Sequence, residues 1–396
     1  MQTYSEPHNR IRAIFFLHGA AFSSWVPHIP LVQERLDLGH DALGGILLAA
    51  AIGVLAVMPI AGRLSDIFGS ARVVRYSGLA YFVAVGVPAF MPTILSISIA
   101  MFMLGFFGAF LDVSMNANGL QVERAKGRSI LSGLHGFWSL GGFAGAGVTA
   151  AWFALPIPNS FHLPIVLGAF LIAHIIAQSG LLPDQAAEDV SKEEKGTNTA
   201  TPTPKERRLF IVLLPFGVCA FIGQFGEGVI TDWATVFMNS ELSSGATMAA
   251  VGFAIYSFAM AATRLSGDML VTRFGRAEVL LTSSVLASLG TFIIAFAPHY
   301  MIAWLGCGIA GMGLAVILPL LLSAAAKATG KSGGAVVSII AATGYSAIMA
   351  GPPIIGAIGE YVGLVTAFAL TASFLGMIIP VYLLTMRTRL QIAGNG

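Results

Sequence analysis

Residues 111–145 read LDVSMNANGLQVERAKGRSILSGLHGFWSLGGFAG. This stretch sets an acid, two amides, a histidine and a tryptophan inside two long apolar segments, with a short basic hairpin at residues 123–128 between them. Carboxylates and imidazoles are costly at hydrocarbon depth and tend to be kept there for a task. Polar groups of this kind inside apolar runs point to a membrane protein whose pathway passes this stretch.

The composition agrees. Of 396 residues, 56% are hydrophobic and 10% charged, with a mean hydropathy of +0.82; a soluble chain carries roughly a quarter charged residues. The 46 glycines suit close helix–helix approach in lipid. A net charge of +2 says little about partners; a small-molecule substrate and membrane lipid are expected, and nucleic acid is not. Cys219 and Cys307 fall inside apolar segments without CxxC spacing and read as small buried hydrophobes. The first apolar segment contains Pro27 and Pro30, runs into Glu34-Arg-Leu-Asp37 and lacks a small-x-small cleavage site, so it reads as a retained spanning helix.

A spanning helix needs about 20 apolar residues. Such segments recur at 12–34, 42–62, 74–92, 93–121, 130–154, 163–182, 209–238, 247–266, 277–297, 299–326, 333–357 and 363–386. The predicted fold class is therefore an all-α polytopic membrane protein with twelve helices. The loops test the count. With both termini cytoplasmic, 20 of the 21 Lys and Arg residues fall on the cytoplasmic side, leaving Arg35 outside; that set includes Arg264, read as a loop residue.

Residues 183–208 are polar, charged and Thr/Pro-rich, and read as a disordered cytoplasmic linker. It divides the chain into an N-terminal six-helix bundle, 1–182, and a C-terminal one, 209–396. The halves repeat weakly. At an offset of 203, Gly105, Gly108, Ala125, Gly127, Ser129 and Gly141 match Gly308, Gly311, Ala328, Gly330, Ser332 and Gly344; at 206, Leu64, Phe68 and Gly69 match Leu270, Phe274 and Gly275. Internal repeats with a site at their interface mark transporters.

The loop after helix 2 reads Gly62-Arg-Leu-Ser-Asp66-Ile-Phe-Gly69-Ser-Ala-Arg72. Glycines at this spacing let two helices and a tight turn approach closely, while Asp66 can accept from backbone amides or an arginine. The loop resembles the signature of the major facilitator superfamily, G-x-L-x-D-x-x-G-x-x-x. Its later copy, Asp268 to Arg276, has Thr272 in place of the acid. Residues 15–22, the 111–145 stretch, Glu227-Gly-x-x-x-Asp232-Trp233 and Gly351-Pro-Pro-Ile-Ile-Gly356 are similar to a bacterial branch distantly related to fucose–proton symporters. Asp112 and Asn116 match that family's helix 4 acid and the Asn four residues on. The resemblance implies two pseudo-symmetric bundles that rock about a midplane site in the bacterial inner membrane, normally as a monomer. Ile67 stands where the loop signature is usually basic, and residues 15–32 hold no acid; both departures leave substrate identity open.

Asp112 lies about ten residues before the basic hairpin, about 15 Å inside the cytoplasmic end. A carboxyl losing hydration there can exchange protons near neutrality, which makes Asp112 the candidate coupling group; a structural acid bonded to backbone or arginine is the plainer reading. Asn116, one turn along on the same face, can hydrogen-bond a polar substrate. His135 enters from the same hairpin and can share or relay a proton, or be bonded within its bundle. Trp138 offers a stacking surface for a sugar-like or aromatic ligand, or packs in the core. Glu227, with Gly223, Gly226 and Gly228 around it, is the partner site across the bundles for substrate or proton. Asp232 reads as an outer-end cap or gate, and His28 and Gln224 as further pathway candidates. Pro352, in Gly-Pro-Pro, reads as a break or kink in a gating helix. His18 and His174 read as interior histidines without polar company.

At the 203 offset, Ala315 stands opposite Asp112, Pro319 opposite Asn116 and Ser338 opposite His135. The shared glycines therefore read as scaffold, and the unshared polar groups as function. The expected function is proton-coupled symport of a small polar, sugar-like solute by alternating access, driven by a proton gradient with no cofactor or metal. The alternatives are a proton-driven exporter of metabolites or drugs and a non-transporting receptor. No HExxH, G-x-S-x-G or metal-ligand spacing supports an enzyme.

Overall fold

The structure, a computed structural model, describes residues 5–127, 130–183, 204–329 and 334–385. Among the described residues, twelve helices, some of them interrupted, form two groups of six. Helix α1, Ser5–Trp25, passes through a 3-10 turn at Val26–His28 into a short helix, Ile29–Arg35. Pro27 and Pro30 account for the change of winding, since each removes a backbone donor and crowds the preceding turn. Then come α2 (His40–Phe68), α3 (Ser70–Gly86), α4 (Ile94–Lys126), α5 (Leu131–Phe153) and α6 (His162–Gln178). The second half holds α7 (Pro204–Ser240), α8 (Gly245–Phe274), α9 (Arg276–Ala295) and α10 (Tyr300–Leu314, resuming at Ile317–Thr329). It closes with α11 (Gly334–Tyr361) and α12 (Leu364–Gly376, running on to Thr385). Among the described residues, nine helices are long and apolar enough to cross a membrane. Side chains such as Leu95 and Ile172, 72% and 62% exposed, form the apolar outer surface. The expected linker falls mainly on residues 184–203, outside the described residues, and the chain is already helical at Pro204.

Several helices outrun their apolar stretches. The helix expected at 93–121 continues to Lys126, and the one expected at 247–266 continues to Phe274. Nothing ends a helix at the edge of hydrocarbon, and Arg124, Lys126 and Arg273 in the last turns favour the negative end of the helix dipole. The basic hairpin is therefore helical through Lys126 and turns at left-handed Gly127; the Glu123 carboxylate accepts from the Ile130 and Leu131 amides at 2.7 and 3.1 Å, capping α5. The same extension moves Arg264 out of the loop in which it was expected. It lies ten residues before the end of α8, about 15 Å along the axis.

Gly69 and Gly275 end α2 and α8 with φ of 88° and 89°, a region L side chains rarely adopt, so the repeat seen at an offset of 206 is a repeat of backbone turns. Gly62 faces open space, contrary to the close approach expected there. Asp66 and Arg72 are exposed, with no hydrogen bond or ion pair among the described residues. The glycines shared at 203 also diverge: a Cβ at Gly105 would overlap the Ala50 carbonyl and one at Gly141 the Phe16 carbonyl, whereas Gly308 and Gly344 meet only side chains. In the third pair it is Gly311 that lies against a backbone carbonyl, that of Tyr256, and Gly108 that meets a side chain. Both halves thus have backbone-tight crossings at different pairs: α2 with α4 and α1 with α5 in the first, α8 with α10 and α9 with α10 in the second.

The halves pack along two seams, α2 against α11 and α5 against α8, with the far end of α1 reaching α7 and α8. Helix α4 packs within its own half, on α2 and α3. We call the side where α1 begins and α12 ends the terminal face, and the other the opposite face. Helix α11 runs unbroken through Pro352 and Pro353, so the break expected there is absent. The interruption lies in α10, at Ala315–Val316.

Candidate functional site

The break in α10 follows from Pro319. Proline has no N–H, so the carbonyl four residues back, that of Ala315, loses its helical donor. Arg264 supplies one: its Nε donates to the Ala315 oxygen at 3.2 Å. Its Nη1 donates to Ser139 Oγ on α5 at 2.9 Å, and its Nη2 pairs with Glu227 Oε1 on α7 at 3.0 Å. One guanidinium therefore ties α7, α8 and α10 of the second half to α5 of the first. The Arg264 and Glu227 side chains are 19% and 21% exposed, sheltered enough for the pair to be weakly screened. Glu227 stands in the middle of α7, thirteen residues before Ser240.

Beside this network lies a narrow cavity between the halves. Phe22, Ser23 and Trp138 close it from the first half, and Glu227, Thr231 and Tyr256 from the second. About 20 Å³ of it is open to the centres of water-sized spheres, room for about one or two waters. The Phe143 and Phe258 rings, 5.1 Å apart, meet across the α5–α8 seam. At this level the halves are closed on one another.

Asp112 sits fourteen residues before the end of α4, about 21 Å along the axis from it, since α4 runs on through the basic hairpin. It is half-buried. Asn116 Nδ2 donates to the Asp112 backbone oxygen at 2.9 Å and to its Oδ1 at 3.3 Å. The pair expected from spacing therefore exists as a bonded unit. Asp112 is close enough to interact electrostatically with Tyr81 of its own half and with Tyr345 on α11 of the other.

His135 does not meet Asp112; no hydrogen bond joins them among the described residues. It is exposed on the first turns of α5, edge-on to Phe15 with ring centres 5.4 Å apart, and within electrostatic range of Arg264 and His18. Trp138 Nε1 donates to His18 Nδ1 at 2.8 Å, so His18 has the polar company the sequence did not show. Tyr81 closes this group, its ring 4.6 Å from that of His18 and its hydroxyl donating to the His18 carbonyl at 3.1 Å. Trp138 thus presents one edge to the interior and part of its ring to the cavity.

The remaining candidates are scattered. His28 is buried rather than pathway-facing: its Nε2 lies 2.9 Å from Nδ1 of buried His162, and the two rings stack. His174 is buried against Gly78 and the Phe82 ring. Gln224, half-buried on α7, packs its stem on Gly344. Asp232 is half-buried five residues beyond Glu227 and makes no hydrogen bond or ion pair among the described residues. Pro352 touches α2 through its carbonyl, which lies against Gly44. Sequence reasoning missed Arg264, Ser139 and Tyr345. Pro319, directly opposite Asn116 in the repeat, was the available signal for the first of these.

This arrangement has the features of a solute pathway: a half-buried acid–amide unit on α4, a narrow cavity between the two halves, and a guanidinium that pairs with Glu227 and bonds across the halves to Ser139. The family model for the Major Facilitator Superfamily matches residues 13–240 and 216–394. An uncharacterized MFS-type transporter of Yersinia pestis is 30% identical over 370 residues, 92% of each chain. The uncharacterized transporter y4wD of Sinorhizobium fredii is 29% identical over 380 residues, 96% of this chain and 98% of its own. Among solved structures, a mutant of the nucleoside transporter NupG superposes with a TM-score of 0.74 at 12% identity, covering 96% of this chain and 99% of that one, a likeness of fold. The chain belongs to the major facilitator superfamily of membrane transporters.

Proposed function

We propose that this protein is a proton-coupled symporter of a small polar, sugar-like solute, working by alternating access in the bacterial inner membrane with both termini in the cytoplasm. The observation that carries the reading is the placement of Asp112. Among the described residues its carboxyl is bonded to Asn116 alone, without an arginine or lysine partner, and it lies within electrostatic range of Tyr345 of the other half. A permanently paired acid is a fixed part of a scaffold; one without a cationic partner, between two halves that move, can gain and lose a proton as access changes sides. Asn116, Tyr345 and the exposed His135 supply the donors and acceptors that hydroxyl groups need, and Trp138 supplies a partly exposed ring.

The Arg264–Glu227 pair has a different part in this reading. Its bond to Ser139 crosses between the halves, so it is made in the present state and must be released when the α5–α8 seam opens. Such a contact biases one state over the other, which is the requirement for a coupled conformational step.

Purified protein in liposomes tests the reading with a panel of radiolabelled monosaccharides, polyols and nucleosides under imposed proton gradients. A symporter accumulates one class when the gradient drives protons the same way. Acceleration by the opposed gradient would mean export by exchange, and binding without flux would mean a receptor; either result sinks the proposal.

A further inference from the structure

At the opposite face, helix α2 begins at His40 with Gly39 as its N-cap; the glycine offers no side-chain cap, and within the first turn Asp41 Oδ1 accepts from the Ala42 amide at 2.6 Å, leaving the His40 amide to find another acceptor. The first amides of a helix need acceptors. The amide of His40 finds one 320 residues away, in Glu360 Oε2 at 2.7 Å, on the last turn of α11 in the other half. Gly39 makes room for it: a Cβ there would lie 2.8 Å from that same oxygen. The Gly39 backbone, at φ −63° and ψ 163°, is open to any residue, so space for the Glu360 and Asp41 carboxylates, 2.8 and 2.9 Å from that Cβ, is the constraint on the position.

Three further features surround this contact. Gln33 Nε2 donates to the Leu38 carbonyl at 3.1 Å and lies 3.0 Å from His40 Nδ1, fixing the loop that leads into α2. Asn239 Nδ2, at the end of α7, donates to Glu34 Oε1 at 2.5 Å, a second bond between the halves on this face. Below them α2 and α11 touch backbone to backbone, Gly44 against the Pro352 carbonyl and Gly356 against that of His40.

We propose that Glu360 is the closing latch of the opposite-face gate: it caps α2 from the other half only while that face is shut, with Glu34–Asn239 as an auxiliary bond. A cap made in one conformational state and broken in the other adds its whole strength to the difference between them. A carboxylate at a helix N-terminus is well suited to this, since both the hydrogen bond and the helix dipole favour it. The latch positions the gate and touches no solute. The inference rests on the alternating-access reading for what is being held shut, and on nothing in the choice of solute or of proton.

The test is a distance measurement between spin labels at Ser160→Cys and Glu241→Cys, exposed positions on this face in the two halves, in detergent and nanodiscs, without solute or proton gradient. Glu360→Ala removes the latch. Gly39→Ser displaces it while giving α2 a cap of its own, so helix stability is kept and only the inter-half bond is lost. Both variants should lower the ratio of closed to open populations about fivefold to tenfold. Glu360→Gln, which keeps an acceptor oxygen, should fall between them and wild type. Distance distributions that match wild type in both Glu360→Ala and Gly39→Ser overturn the proposal. So does a shift in Glu360→Ala alone, which would assign Glu360 to helix stability rather than to the gate. Because no transport is measured, failure here leaves the symport reading to be judged separately.

Discussion

Replacing Arg264 by Met removes the guanidinium while keeping an unbranched side chain of similar length. Glu227 then keeps its charge at 21% exposure with no partner, Ser139 loses a donor, and the Ala315 carbonyl has neither Arg264 nor the N–H that Pro319 lacks. Breaking a sheltered ion pair from one side costs about 3–5 kcal/mol, and the orphaned carbonyl adds about 1 kcal/mol. Partial exposure allows water to reach both ends, so the lower half of that range, about 3 kcal/mol, is expected for Arg264→Met. Glu227→Gln keeps an acceptor for Arg264 and should cost about 1–2 kcal/mol. The double variant Arg264→Met with Glu227→Gln leaves no uncompensated charge, so it should be more stable than Arg264→Met alone. The coupling energy from the four proteins should be about 1.5–3 kcal/mol. Reversible unfolding in mixed micelles reads all four. A coupling energy under about 0.5 kcal/mol, the level of exposed surface pairs, would refute the assignment of Glu227 as the partner that holds Arg264 in place for its bond to Ser139 across the halves.

Three further outcomes follow from the packing. Gly105→Val should destabilise the protein by about 2–3 kcal/mol, because its side chain would meet the Ala50 backbone, while Gly45→Ala, which faces open space, should be neutral or slightly stabilising in thermal melts. Pro319→Ala restores the amide that Ala315 lacks; α10 should become more continuous, the melting temperature should rise, and transport should slow as Arg264 loses an acceptor. Trp138→Phe deletes the 2.8 Å bond to His18 and should cost about 1 kcal/mol by thermal unfolding, with a larger loss of solute affinity if the ring also stacks on solute.

Much of this architecture was legible in the residues. Hydrophobic runs of spanning length gave the helix number, and the 206-residue offset located Gly69 and Gly275, where positive φ makes the glycine a requirement. The Asp112–Asn116 unit was legible too, because four residues on a helix place two side chains on one face whatever surrounds them. Contacts between distant helices were not. Arg264 looked like a loop cation because a stretch of about 20 apolar residues ends near it, yet the helix goes on for two more turns past lipid depth. His28 looked like a pathway residue until the fold put His162 against it. Pro352 and Pro319 show the same limit from another side: both remove an amide, but α11 continues as a helix while α10 opens and offers its carbonyl to Arg264. The cap of α2 by Glu360 joins residues 320 positions apart, beyond the reach of any local pattern.

The central claim, that Asp112 carries the coupled proton, is tested most directly by Asp112→Asn in liposomes loaded with the accumulated solute. Asparagine keeps the shape and the bond to Asn116 but cannot release a proton. The variant should exchange internal for external solute at a rate close to wild type, with gradient-driven accumulation lost. Accumulation equal to wild type in this variant would contradict the account.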